Sequence, residues 1–120
     1  MIYRDIAPRG SGKSTRMLKK ALETGFCICT SGKLATKHFM RLAQNLGVRD
    51  TEMRIDTAGV LNIRDIRVAD IFYWAEHTKT EKDVKLLCDE LSLCMNRVLN
   101  QKLAGYSDDD GDDERRTQNA

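Results

Sequence analysis

The nine residues Ala7-Pro8-Arg9-Gly10-Ser11-Gly12-Lys13-Ser14-Thr15, APRGSGKST, sit between two segments of opposite periodicity. Before them, MIYRDIA alternates in the manner of a strand, and the Ala7-Pro8 step keeps the backbone extended. After them Met17, Leu18, Ala21 and Leu22 recur at helical spacing, with Gly25 placed to stop the helix. Gly10 and Gly12 permit the tight turn between the two. A strand, a glycine-rich loop and a helix start together make an anion site. The loop amides and the positive end of the helix dipole face the ligand, and Lys13 would neutralise phosphate oxygens. The Ser14 hydroxyl suits Mg²⁺. The phosphate-binding candidates are Arg9, Gly10, Ser11, Gly12, Lys13, Ser14 and Thr15.

Working outward, FCICTS reads as a buried strand. Thr30 or Ser31 then caps a second helix whose apolar face is Ala35, Phe39, Leu42, Ala43 and Leu46, closed by Gly47. EMRIDTAG suggests a short strand and turn. VADIFYWAE has the β-branched and aromatic content of a further strand. Thr80, with Asp83 three residues on, opens the longest predicted helix, striped by Val84, Leu87, Cys88, Leu91, Cys94, Met95 and Val98 and ended by Gly105. This order predicts an α/β protein, a small and mostly parallel sheet flanked by helices over 1–105, followed by a disordered acidic tail at 106–120.

Hydrophobic residues at 41% and charged residues at 32% indicate a globular chain rather than a disordered one. No apolar run reaches the ~18 residues of a membrane span, and no signal-peptide layout opens the chain. The expectation is a cytoplasmic protein that does not engage a membrane. The net charge of +2 hides an uneven distribution, because YSDDDGDDERRTQNA carries six acidic and two basic residues. That tail is either a solubilising end or an acidic competitor for nucleic acid. Lys19, Lys20, Lys33, Lys37 and Arg41 lie on two predicted helices and form either ordinary solvated surface or a basic face for nucleic acid or an acidic protein. The four cysteines lack metal-site spacing and read as buried thiols, with Cys27 and Cys29 on one strand face. Tyr73 and Trp74 read as core residues rather than base-stacking platforms.

The Ala7–Ser14 stretch resembles the Walker A motif of the P-loop NTPase superfamily, with Ala7 in the first glycine position. Together with FCICTS and SGKLATKHFMRLAQNLGV it looks like the front half of a RecA-like or helicase/terminase-like ATPase core, of the kind found in small phage and mobile-element proteins. The likeness covers residues 1 to about 77. It implies ATP and Mg²⁺ as ligands, with Lys13 catalytic and Ser14 on the metal. In that family a second hydrophobic strand ends in an acidic pair that holds Mg²⁺ through water and activates the attacking water. DIFYWAE is the expected counterpart, with Ala75 near the aspartate position and Glu76 left as metal partner or base.

The implied activity is therefore weak, or dependent on assembly with another copy or a partner, in a host cytoplasm if the chain is phage-encoded. The alternative is a non-enzymatic accessory or inhibitor protein that retains the fold with degraded acidic chemistry. A third reading takes RIDTAG as the Asp-x-x-Gly element of small GTPases. Asp56 would then be the magnesium partner, although the guanine-specific Asn-Lys-x-Asp is missing and TKTE at 78–81 is a poor substitute.

Overall fold

A computed structural model describes residues 3–7, 10–89 and 103–109. In chain order these form strand β1 (Tyr3–Ala7), helix α1 (Lys13–Thr24), β2 (Cys27–Thr30), α2 (Lys33–Asn45) and a 3-10 turn (Asp50–Glu52). There follow β3 (Met53–Ile55), β4 (Leu61–Ile63), β5 (Ile66–Asp70), α3 (Ile71–His77), β6 (Leu86–Asp89) and β7 (Leu103–Asp109). The strands make one sheet in the order β1-β7-β6-β2-β5-β4-β3. Strands β1, β7, β6, β2 and β5 run parallel, while β4 and β3 add an antiparallel edge. The α/β expectation holds with that amendment: the sheet is mixed.

Alternation along the central strands divides the core between two faces. Ile28, Val68 and Leu87 pack with Met17, Leu18 and Ala21 of α1 and Phe39 and Ala43 of α2. Their neighbours Cys27, Cys29, Ala69, Leu86 and Cys88 pack on the other face with Trp74 of α3. A strand with partners on both sides and helices over both faces needs an unbroken apolar run, which CICT and LLCD provide. Helix α1 ends where Gly25 takes φ 81° and donates its N–H to the Ala21 carbonyl. On the second face Trp74 is fully buried, and its indole Nε1–H donates to the Ile28 carbonyl at 2.9 Å. Tyr73 is half-buried, with its ring edge-on to Trp74. Cys27, Cys29 and Cys88 are buried free thiols, and Cys94 lies outside the described residues.

Two predicted elements are corrected. VADIFYWAE is not one strand: β5 stops at Asp70, whose carboxylate accepts the Tyr73 N–H at 2.9 Å and caps α3. The segment expected to be the longest helix contains strand β6 in its first half, held between β2 and β7. Residues 90–102 lie outside the described part. Gly105 is not a helix end but part of β7, which runs four residues into the stretch expected to be disordered. Residues 110–120 lie outside the described part. The predicted cap of α2 also differs. Gly32 holds the N-cap position without a side-chain bond, while the Thr30 and Thr36 hydroxyls lie 2.8 Å apart, one donating to the other and the other to the Gly32 carbonyl.

No helix among the described residues is long and apolar enough to cross a membrane.

Candidate phosphate site and its acidic partner

The loop between β1 and α1 turns through two left-handed glycines, Gly10 at φ 81° and Gly12 at φ 86°. Any other residue is strained there. Gly12 is the N-cap of α1 and supplies no capping side chain. The first bond of the helix runs from the Arg16 N–H to the Gly12 carbonyl at 3.0 Å. The amides of Lys13, Ser14 and Thr15 therefore precede the helical ladder and point out of its positive end. Arg16 braces the loop from outside, with Nη1 donating to the Ser11 carbonyl at 2.6 Å. Lys13 is only 7% exposed, unusual for an ammonium and consistent with a fixed position at the loop. Pro8 and Arg9 lie outside the described residues.

The acidic partner of this loop is Asp89, at the C-terminal end of β6. Ser14 Oγ donates to Asp89 Oδ2 at 3.0 Å. Ser107 Oγ of β7 donates to Asp89 Oδ1. Asp89 is 9% exposed and Ser107 fully buried. Strand alternation puts Asp89 on the same face as Leu87, the face covered by α1. A register irregularity between Leu86 and Leu87 sets Asp89 opposite Ser107; the pairing Leu86↔Leu103 continued without a shift would set it opposite Tyr106. The bulge thus decides that a small hydroxyl faces the carboxylate.

This arrangement can receive a cation. Because Ser14 spends its proton on Asp89, its oxygen lone pairs remain available to a metal, and the carboxylate increases their electron density. The described residues contain no group of three or more His, Cys, Asp or Glu side chains that would hold a metal alone. A cation here would draw its remaining ligands from phosphate and water, the usual manner of Mg²⁺.

The structure separates the other predicted residues from this site. Glu76 sits on α3, across the sheet from α1; its side chain is 73% exposed and pairs with Lys79 at 3.4 Å. It is not at a strand end. Asp56 lies in the β3–β4 turn, with β3 four strand positions from β6, roughly 19 Å at ~4.8 Å per strand. Its Oδ1 accepts from the Ala58 and Val60 amides, so it shapes its own turn. Lys19, Lys20, Lys33, Lys37 and Arg41 do fall together on the α1–α2 layer.

Away from the site several charges are paired. On the α3 face Arg67 makes a two-pronged contact with Glu81 at 2.6 and 3.0 Å, donates to the Tyr73 hydroxyl and lies 4.9 Å over the Trp74 ring. Hydrogen bonding from Arg67 holds the Glu81 carboxyl below its ordinary range. Arg64 and Arg49 lower Glu52 in the same way at the hairpin edge.

Asp89 and Ser107 were missed from sequence. Asp89 carried a signal: LLCDE is a buried apolar run ending in an acidic pair. No protein-family model, curated protein or solved structure matches this chain.

Proposed function

We propose that this chain binds ATP with Mg²⁺ at the Gly10–Thr15 loop and hydrolyses it. The observation that carries the reading is the bond from Ser14 to Asp89, which joins the end of a glycine-rich loop to an acidic strand end. In this reading the Lys13–Thr15 amides and the Lys13 ammonium hold the phosphates. Ser14 and Asp89 would hold Mg²⁺, Asp89 through water, and the bound ion would supply charge neutralisation along the triphosphate. Ser107 orients the Asp89 carboxylate. Glu90, the acidic residue that follows Asp89 in sequence, lies outside the described residues.

The reading remains a P-loop ATPase of RecA-like or helicase/terminase-like type, with the acidic residue moved from Glu76 to Asp89. The non-enzymatic alternative was motivated by the missing acid beside Glu76, and Asp89 removes that motive. The GTPase reading loses support because β3, which leads into Asp56, lies four strand positions from β6. ATP turnover by the intact chain and by Lys13→Ala, Asp89→Asn and Glu76→Gln tests the assignment. Losses in the first two alone support it. A loss in Glu76→Gln with none in Asp89→Asn overturns it.

A further inference from the structure

We infer that the outer surface of the α1–α2 layer binds the phosphate backbone of a nucleic-acid duplex without regard to sequence. This names the partner class that the proposed function leaves open, and the binding itself does not depend on nucleotide. Between Lys13 and Asn45 the chain carries seven lysines and arginines against one acid, Glu23. Lys13 belongs to the loop. Lys19, Lys33, Lys37 and Arg41 are exposed, and among the described residues none has a carboxylate within ion-pair distance. Elsewhere Arg49, Arg64, Arg67 and Lys79 each have one. Among the described residues, exposed cations without a carboxylate are grouped on this layer, whereas Arg54 and Lys85 stand singly elsewhere.

Its spacing suits a polyanion of regular repeat. Lys33, Lys37 and Arg41 stand four residues apart on one stripe of α2, about 6 Å per step and ~12 Å in all. That span covers the axial rise of about three to four base pairs. Three features favour a duplex over other polyanions. The helices carry no exposed Phe, Tyr or Trp, Phe39 being buried, so a single strand finds only the small His38 ring to stack on. Leu34 is the one exposed large hydrophobic residue on these helices, too little to wedge into lipid or to anchor a protein interface. And the stripe begins at Lys33, at the end of the sheet where the phosphate loop lies, beside the helix that carries Lys13.

Fluorescence anisotropy with a labelled duplex of about 20 base pairs, in the absence of nucleotide, tests this. Some four phosphate contacts predict a slope of log K against log salt of roughly −3 to −4, or about a 100-fold loss between about 50 and 200 mM salt. The triple variant Lys33→Glu, Lys37→Glu, Arg41→Glu should lose at least about 100-fold at the lower salt, with a melting transition matching the parent. The charge-keeping variant Lys33→Arg, Lys37→Arg, Arg41→Lys should stay within about threefold of the parent. Wild-type duplex affinity in the reversal variant overturns the inference. So does tighter binding to the corresponding single strand, or equal binding to anionic phosphatidylserine vesicles that the reversal abolishes. Because no nucleotide is present, failure of ATP binding would leave this result standing.

Discussion

Replacing Asp89 by asparagine preserves the shape of the side chain while removing its charge. In the folded chain the carboxylate accepts from Ser14 on one oxygen and Ser107 on the other. The amide keeps one acceptor and offers an N–H₂ to the second hydroxyl, which must reverse its proton. Two charge-assisted bonds become neutral ones, each weaker by roughly 1 kcal/mol. Against that, an ionised group that is 9% exposed no longer has to be desolvated. The change in stability should be within about 1 kcal/mol.

Binding of Mg·ATP should change far more. Loss of a contact to a charged group costs about 1.5–3 kcal/mol, which is a 10- to 150-fold weaker affinity. The metal dependence gives the sign. Without metal the Asp89 carboxylate stands near the phosphates as a like charge, so Asp89→Asn should bind ATP in EDTA at least as tightly as the parent chain. Titration calorimetry with a non-hydrolysable ATP analogue, in Mg²⁺ and in EDTA, measures both arms. Equal losses in both buffers, or none in Mg²⁺, would refute the reasoning that places the cation between Ser14 and Asp89.

Lys13→Ala should weaken binding by a similar 10- to 150-fold in both buffers, since its ammonium addresses phosphate rather than metal; calorimetry separates the two patterns. Trp74→Phe leaves the buried Ile28 carbonyl without its indole donor and should cost about 1–3 kcal/mol, read as a lower urea midpoint at unchanged slope. The depressed Glu81 carboxyl contributes stability that is whole above the ordinary value of 4.5 and is lost as pH falls through its lower folded value. Glu81→Gln should therefore lie below the parent in stability at neutral pH and converge on it in acid, as urea titrations between about pH 3 and 7 would detect; a constant gap would refute the ion pair's role.

The front of the fold was legible because each local signal agreed with its neighbours. Gly10, Gly12 and Gly25 punctuate the loop and the end of α1 at chemically required places, and Phe39 and Ala43 line up on α2 as its periodicity demands. The back was not, for two separate reasons. In IFYWAE, β-branched and aromatic residues favour a strand, but the Asp70 cap and burial of Trp74 under the sheet turn the chain into a helix. In VKLLCDE, Val84, Leu87 and Cys88 fit a helical stripe as well as LLCD fits a doubly covered strand, and a short apolar run does not distinguish them. Partners from β2 and β7, both distant in sequence, decide it. Mistaking that strand moved the acidic residue to Glu76. Ser107 depended on a bulge, which no local pattern announced.

The pairing of β1 with β7 carries a consequence for how the protein is made. Tyr3 lies opposite Gly105 and Ala7 opposite Asp109, so among the described residues the strand that feeds the glycine-rich loop has its sheet neighbour about a hundred residues later. At ~5–20 residues per second, a ribosome needs roughly 5–20 s to supply that neighbour. Until then α1, β2, α2 and the hairpin have mutual contacts available, while β1 has no edge to join. Closing so long a loop is also entropically costly before the pairing rewards it. The end of the molecule that carries the glycine-rich loop is consequently the last part to become complete, and nascent chains halted before β7 emerges would carry that loop without the Asp89–Ser107 contact beside it.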